Sequence, residues 1–234
     1  MSNLFTSSIG KKLIMSITGL FLVLFLLFHM CMNLVAIFSQ EAYNMICAFL
    51  GANWYALAAT VVLAAGAVIH IIYAFILTIL NRRARGKQRY AVEATPKGVE
   101  WASQNMFVLG LIIVVGLVLH LWNFWYNMQF VELAYSHAEI EALGLEPTNG
   151  AALIAGLFSN PVYCIVYLVW LAALWFHLTH GFWSAFQTIG WDNQIWRPRV
   201  MCISNIVATI IFLGFAAVVV YFYAISLCPG GVCY

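Results

Sequence analysis

Hydrophobic residues run along the chain in five long stretches, separated by shorter segments that hold most of the polar residues. A helix rises about 1.5 Å per residue, so a bilayer core of about 30 Å requires about 20 residues. Each stretch reaches that length, and the pattern predicts five transmembrane helices over Leu13–Phe38, Trp54–Leu80, Met106–Tyr126, Pro161–Phe186 and Val200–Leu227. We therefore expect an all-α, polytopic membrane bundle that forms a single domain over residues 1–234.

Composition supports a membrane location. Hydrophobic residues make up 65% of the chain and charged residues 8%, whereas soluble domains carry about 25% charged residues. A chain with so few charges has too little polar surface to face water all round, so we expect lipid around it. The net charge of +2 gives no reason to expect a nucleic-acid partner.

Charged residues divide between the two ends of the predicted helices. All ten basic residues fall on one side, at Lys11, Lys12, Arg82, Arg83, Arg85, Lys87, Arg89, Lys97, Arg197 and Arg199. The segments on the other side carry Glu41, Glu132, Glu139, Glu141 and Glu146 and no lysine or arginine. Because basic segments stay in the cytoplasm, this asymmetry predicts a cytoplasmic N-terminus and an outer C-terminus.

The predicted spans hold five histidines, His29, His70, His120, His177 and His180. Ionisable groups inside a membrane are costly and by default mark function. The simplest alternative is a packing histidine, bonded to a neighbouring hydroxyl or carbonyl. Since each of helices one to four carries at least one, the set favours a shared role. His137 lies in the outer loop, where a solvated side chain is expected.

The histidines fall at two depths when residues are counted along ideal helices. His29 and His120 lie about 10–15 Å below the outer ends of their helices, and His70 and His177 about 24–25 Å below theirs. This count predicts an outer pair and an inner pair, with roughly 10–15 Å between the two layers.

Two facing imidazoles suit a haem iron with two axial ligands. Two such pairs predict two stacked haems and a path for electrons across the membrane. A zinc site would need about four ligands at one depth, and a chlorophyll or another pigment stays open on histidine geometry alone. His180 could ligate in place of His177, or bind a haem propionate or a quinone.

Two segments carry a resemblance to a known family. They are the stretch Ser16–Leu22, followed by His29 and Met30, and the stretch Phe176–Ser184, which runs on to Gly190 and Trp191. Both are similar to haem-ligand helices of the di-haem cytochrome b membrane anchor of succinate:quinone oxidoreductases, in the class with five helices in one polypeptide. In that pattern the ligand is the histidine four residues before the glycine, which is His177.

The resemblance implies two b-type haems, an outer one held by His29 and His120 and an inner one held by His70 and His177. It implies a flavoprotein subunit and an iron–sulfur subunit on the cytoplasmic face of a bacterial inner membrane, and a quinone, often menaquinone. The complex would act as a succinate dehydrogenase of the tricarboxylic acid cycle or as a fumarate reductase in anaerobic respiration. Its direction, and whether complexes dimerise, stay open.

Surface segments and single residues receive roles from the same resemblance. Arg82–Arg89 and Gly190–Arg199 would dock the two soluble subunits, or serve only as topology determinants. Glu41 would accept a quinol proton, or be a solvated loop acid. Ser16 would bond a haem propionate, or pack as a helix hydroxyl.

Three further features of the sequence bear on a proton route, a disulfide and the role of this chain in the complex. Trp175 stands where some members have a glutamate that moves protons, so we do not expect that route. Cys228 and Cys233 would form a disulfide on the outer side or stay reduced. No dicarboxylate site is recognisable, so the chain would be the subunit that handles quinone and electrons.

Two other hypotheses remain open. A haem-b cytochrome of a hydrogenase or formate dehydrogenase would share the histidines but lack the two quoted stretches. A haem-free transporter or channel would more readily show broken helices or an internal repeat, and neither is visible in the sequence.

Overall fold

The computed structural model describes residues 7–51, 53–85, 101–191 and 193–228, and these ranges contain helices and no strand. The elements are α1 (Ser8–Phe38), α2 (Gln40–Phe49), α3 (Trp54–Arg85), α4 (Trp101–His120), a π-helical segment (Leu121–Phe130), α5 (Val131–Ala134), α6 (His137–Ala142), α7 (Gly150–Phe158), α8 (Pro161–Ile189) and α9 (Trp196–Ser226).

Five helices in the described residues are long and apolar enough to cross a membrane, which confirms the predicted all-helical bundle. They are Ser8–Phe38, Trp54–Ala84, Trp101–Ala134, Pro161–Ile189 and Trp196–Ser226. All five begin or end beyond the predicted apolar stretches, because a helix ends at its cap rather than where hydropathy falls. Ser7 caps α1 by accepting a hydrogen bond from the Gly10 amide, and Gly190 ends α8 with φ +102°, a conformation that favours glycine.

The third long helix runs past Tyr126, the approximate end of the predicted span. The helix continues from α4 through the π-helical segment and α5 to Ala134. Polar residues at its far end suggest a loop in the sequence, but they are bonded within the helix. The Asn127 amide donates to the carbonyls of Trp122 at 3.1 Å and Asn123 at 2.9 Å. These side-chain bonds give the two backbone carbonyls an additional partner in the π-helical segment, where i→i+5 hydrogen bonds replace the usual i→i+4 bonds of an α-helix.

Helix α1 lies at the centre of the bundle and packs against α3, α8 and α9. Helix α8 packs closely against α4 and α9. The backbones of α1 and α4 do not approach each other this closely, and neither do those of α3 and α8. Side chains rather than close backbone contacts therefore bridge these two helix pairs, and the histidines are among them.

Two short helices cover one end of the bundle. Ser39 ends α1 and at once caps α2, accepting a hydrogen bond from the Ala42 amide at 3.1 Å. Asn44 of α2 then bonds the start of α7, donating to the Asn149 side chain and accepting from the Ala151 amide, both at 2.9 Å. We call this the acidic end, because it carries Glu41, Glu132, Glu139, Glu141 and Glu146; the opposite end is the basic end.

Candidate functional site

The outer histidines lie together. His29 is on α1 and His120 is the last residue of α4. Their ring centroids are 5.9 Å apart and the ring planes are nearly perpendicular, at 85°. Each residue is half-buried.

The inner histidines also lie together. His70 of α3 and His177 of α8 have ring centroids 6.4 Å apart and an interplanar angle of 68°. The His70 ring lies against Gly19 of α1, ten residues before His29. That separation is about 15 Å along an ideal helix. The two pairs therefore occupy two levels of the bundle.

Both pairs have the spacing of two axial ligands. Metal–imidazole bonds of about 2 Å on opposite sides of one ion place the ring centroids about 6 Å apart. The observed 5.9 and 6.4 Å match that value. Each pair also bridges two helices whose backbones stay apart. The donor set and its geometry thus fit a haem at each level.

Thr18 fixes the tautomer of His70. Its hydroxyl donates to the Ile14 carbonyl at 2.8 Å, in a bond shared with the Met15 carbonyl at 3.1 Å. The single hydroxyl proton is therefore in use, and its oxygen, 3.3 Å from Nδ1 of His70, accepts a hydrogen bond from that nitrogen. With the proton on Nδ1, the other ring nitrogen of His70 keeps a free lone pair.

Asn33 is the neighbour of His29, one helical turn further along α1. Its amide nitrogen lies 3.4 Å from His29 Nδ1 and donates to the His29 carbonyl at 2.8 Å. Its amide oxygen accepts a hydrogen bond from the Tyr43 hydroxyl at 3.2 Å. A side-chain network thus connects His29 to α2 at the acidic end.

The Nδ1 atoms of His120 and His177 are buried and have no hydrogen-bond partner among the described residues. A histidine that serves only to pack helices would be bonded to a neighbouring hydroxyl or carbonyl. Leaving a buried polar atom unpaired costs about 1–3 kcal/mol. His120 and His177 therefore differ from His29 and His70, whose Nδ1 atoms have a polar side chain within hydrogen-bonding distance.

Aromatic side chains surround the outer pair. Phe25 stacks on His29 with centroids 5.2 Å apart, and Phe215 of α9 lies 5.6 Å away. Phe124 and Trp170 lie 5.1 and 5.6 Å from the His120 ring. These flat, apolar side chains exclude water from the space around the two imidazoles.

The other predicted site residues are not members of the two ring pairs. Ser16 is buried in α1, three residues before Gly19. The His180 ring contacts Trp183 of its own helix, with centroids 5.1 Å apart. Glu41 is exposed in the first turn of α2, so its predicted loop position is wrong. The reason is that Ser39 starts a new helix directly after α1. His137 is exposed at the start of α6.

Sequence reasoning missed Thr18, Asn33 and Tyr43. Asn33 could have been found, since it lies four residues after His29 and therefore on the same helix face. Tyr43 had no such signal, because its approach depends on how α2 folds back. Burial raises the pKa of its hydroxyl, which keeps Tyr43 protonated and able to donate.

The basic end carries aromatic and basic side chains together. Arg82 lies over the Phe107 ring at 5.2 Å, and Arg197 over the Trp183 ring at 5.4 Å. Residues 86–100, which include the rest of the predicted basic docking loop, lie outside the described residues. At the other end Cys228 is disulfide-bonded, and Cys233 lies outside the described residues.

Comparisons with protein-family models, curated proteins and solved structures give no match to this chain. Within the described ranges, no three histidine, cysteine or acidic side chains converge as ligands for a metal ion. The candidate site therefore consists of the two imidazole pairs and the residues around them.

Proposed function

We propose that the chain is the di-haem cytochrome b membrane anchor of a succinate:quinone oxidoreductase. The observation that carries this proposal is that four imidazoles form two pairs at two levels of one bundle. The ring centroids within the pairs are 5.9 and 6.4 Å apart. Together with the family-like stretches around His29 and His177, it favours two b-type haems. His29 and His120 would hold the outer haem, and His70 and His177 the inner one.

Haem iron supplies a one-electron carrier at each level when bound. The chain's own residues set the conditions for that role. The four histidines ligate from four different helices, and Thr18 keeps the proton of His70 on Nδ1. The aromatic side chains around His29 and His120 hold the outer level dry. Ligand identity, hydrogen bonds and burial are the factors by which a protein tunes haem potentials.

The proposal includes an orientation and partners. The basic end lies in the cytoplasm of a bacterial inner membrane, following the positive-inside rule. Arg82, Arg197 and the exposed Trp191 and Trp196 at that end provide charge and apolar surface for docking the iron–sulfur and flavoprotein subunits. His29, His120, His70 and His177 would hold the two haems, which would supply the electron carriers between those subunits and membrane menaquinone.

Quinone chemistry lies beside one haem in this proposal. Glu41 is accessible to solvent at the acidic end and would take up a quinol proton there. Ser16 and His180 lie on α1 and α8, the helices that carry Gly19 and His177. They would bond a haem propionate or a quinone at the inner level.

The experiment that tests the function uses the chain in its native membrane complex. We would purify the complex through an affinity tag on this chain and assay it for flavin and iron–sulfur clusters. We would then add succinate without oxygen and record haem absorbance. The expected result is flavin and iron–sulfur in the complex and b-type haem reduced by succinate. Reduction by formate or hydrogen alone would overturn the assignment in favour of another quinone-linked complex.

His137→Ala provides the matched control, since this histidine is exposed and outside the helices that carry the site. We expect succinate to reduce the haem of this variant as it does in the unmodified complex. His29→Ala should lose the outer haem while keeping both soluble subunits, because the docking surface at the basic end is unchanged.

A further inference from the structure

We propose that Asn33, held by Tyr43, is the positioning residue that sets the tautomer of His29 by turning its side-chain amide. This inference rests on the proposed function, because it concerns how His29 becomes a ligand of the outer haem.

His70 and His29 each have a polar side chain at Nδ1, but one of these side chains accepts a hydrogen bond and the other donates one. At the inner level the Thr18 oxygen accepts from Nδ1 of His70, so that ring already has a free lone pair on Nε2. At the outer level the Asn33 amide nitrogen, which is a donor, lies 3.4 Å from Nδ1 of His29. A donor at Nδ1 favours the tautomer with the proton on Nε2. In this orientation of Asn33, His29 therefore carries its proton on Nε2, which is the nitrogen that would bind haem iron.

A half-turn of the Asn33 amide reverses this arrangement. It places the amide oxygen at Nδ1, where it accepts a hydrogen bond from Nδ1–H and frees the lone pair of Nε2. The bond from the Asn33 amide to the His29 carbonyl, 2.8 Å here, is lost, and the side chain must also move away from that carbonyl, because both facing oxygens are then acceptors. That carbonyl keeps its ordinary helical partner, the backbone amide four residues on, so no backbone group is left unpaired.

Tyr43 allows the amide to present either group. Its hydroxyl donates to the Asn33 oxygen at 3.2 Å in the observed orientation. A hydroxyl also accepts, so the same group can receive a hydrogen bond from the amide nitrogen after the turn. The hydroxyl hydrogen can then point towards the neighbouring thiol of Cys47.

The position of Tyr43 is fixed by the acidic end. Tyr43 is buried, with 8% of its surface exposed. A β-carbon on Gly150 would lie 3.0 Å from Tyr43 Cε1 and 2.6 Å from Cys47 Sγ, so α7 packs directly on both side chains. The hydroxyl is therefore held at Asn33 rather than free to turn into solvent.

Metal-ligating histidines usually donate their second ring nitrogen to a fixed acceptor, and loss of such an acceptor typically weakens binding 10–100-fold. Asn33→Leu removes the acceptor at nearly constant volume and should weaken the outer haem by that factor. It should also raise the outer midpoint potential, because a less basic imidazole stabilises ferric iron less. Asn33→Asp can only accept, so it should keep both haems and lower the same potential.

The experiment measures haem content, the two midpoint potentials by redox titration, and haem transfer to apomyoglobin for the purified complex. Tyr43→Phe should raise the outer potential in the same direction as Asn33→Leu. Thr18→Val should change the inner haem and leave the outer one unchanged. Asn205→Leu, an exposed asparagine on α9, is the matched control and should change neither.

The outcomes separate the two proposals. An unmodified complex that binds no haem overturns the proposed function itself. An unmodified complex with two haems, in which Asn33→Leu and Asn33→Asp leave the outer potential and haem transfer equal to those of Asn205→Leu, overturns the role of Asn33 alone.

Discussion

The His70 ring of α3 lies directly on the backbone of α1 at Gly19. A β-carbon at position 19 would lie 3.2 Å from Cε1 and 3.6 Å from Nδ1 of that ring. Ordinary van der Waals contact begins at about 3.5 Å between carbon atoms. The absence of a side chain at position 19 therefore lets His70 reach Thr18 while facing His177.

A larger residue at position 19 should remove the inner haem. The side chain of Gly19→Leu would displace the His70 ring from Thr18 and from His177. We expect one haem per chain instead of two, measured as pyridine haemochrome against protein. The matched control is Gly156→Leu on α7, where a β-carbon would meet nothing within 4 Å, and which should keep both haems. Two haems in Gly19→Leu would show that His70 is not held as a ligand at this position.

Double substitutions should reveal which histidines act together. His29→Ala with His120→Ala should lose the same single haem as either change alone, because both rings belong to one pair. His29→Ala with His70→Ala should lose both haems, since these residues belong to different pairs. The measurement is the haem-to-protein ratio of each purified variant. If the first double variant loses two haems, the pairing is different from the one described here.

Gln129 should contribute to stability at the acidic end. It is buried, accepts from Thr60 at 3.0 Å and from the Trp125 indole at 2.9 Å, and donates to the Gly51 carbonyl at 3.1 Å. Gln129→Leu leaves these partners unpaired, which costs about 1–3 kcal/mol for a buried group. We expect a lower unfolding temperature in detergent with the haem content unchanged at low temperature.

The control for Gln129→Leu is Asn105→Leu. Asn105 is half-buried, and its one side-chain bond, to the Trp101 carbonyl of its own helix, is exposed to solvent, so its change should stay within about 0.5 kcal/mol. Equal unfolding temperatures for the two variants would refute a stabilising role for Gln129.

The sequence alone predicts the helical bundle, because hydrophobic length determines where each transmembrane helix lies. A hydrophobic stretch long enough to span must become a helix, since only a helix satisfies its own backbone in lipid. Constant rise per residue then fixes relative depth, so the pairing of His29 with His120 could be predicted by counting. That count took the third span to end at Tyr126. Counted from Ala134, His120 would lie about 21 Å below the helix end, so its pairing with His29 rests on the observed ring contact.

Other features depend on contacts that no local pattern shows. The continuation of the third span past Tyr126 rests on the Asn127 amide bonding two carbonyls of its own helix. The approach of Tyr43 to Asn33 rests on Ser39, which ends α1 and caps α2. Polar residues such as these indicate a loop by composition, yet in the structure they complete helices.

The central claim is that four histidines hold two haems, and a reduced-minus-oxidised absorbance spectrum with a haem-to-protein ratio tests it most directly. It should be recorded for the unmodified chain, for His29→Ala and for His177→Ala. The account predicts a low-spin b-type spectrum with two haems per chain, and one haem in each variant. A chain without haem, or variants that keep both haems, would contradict it.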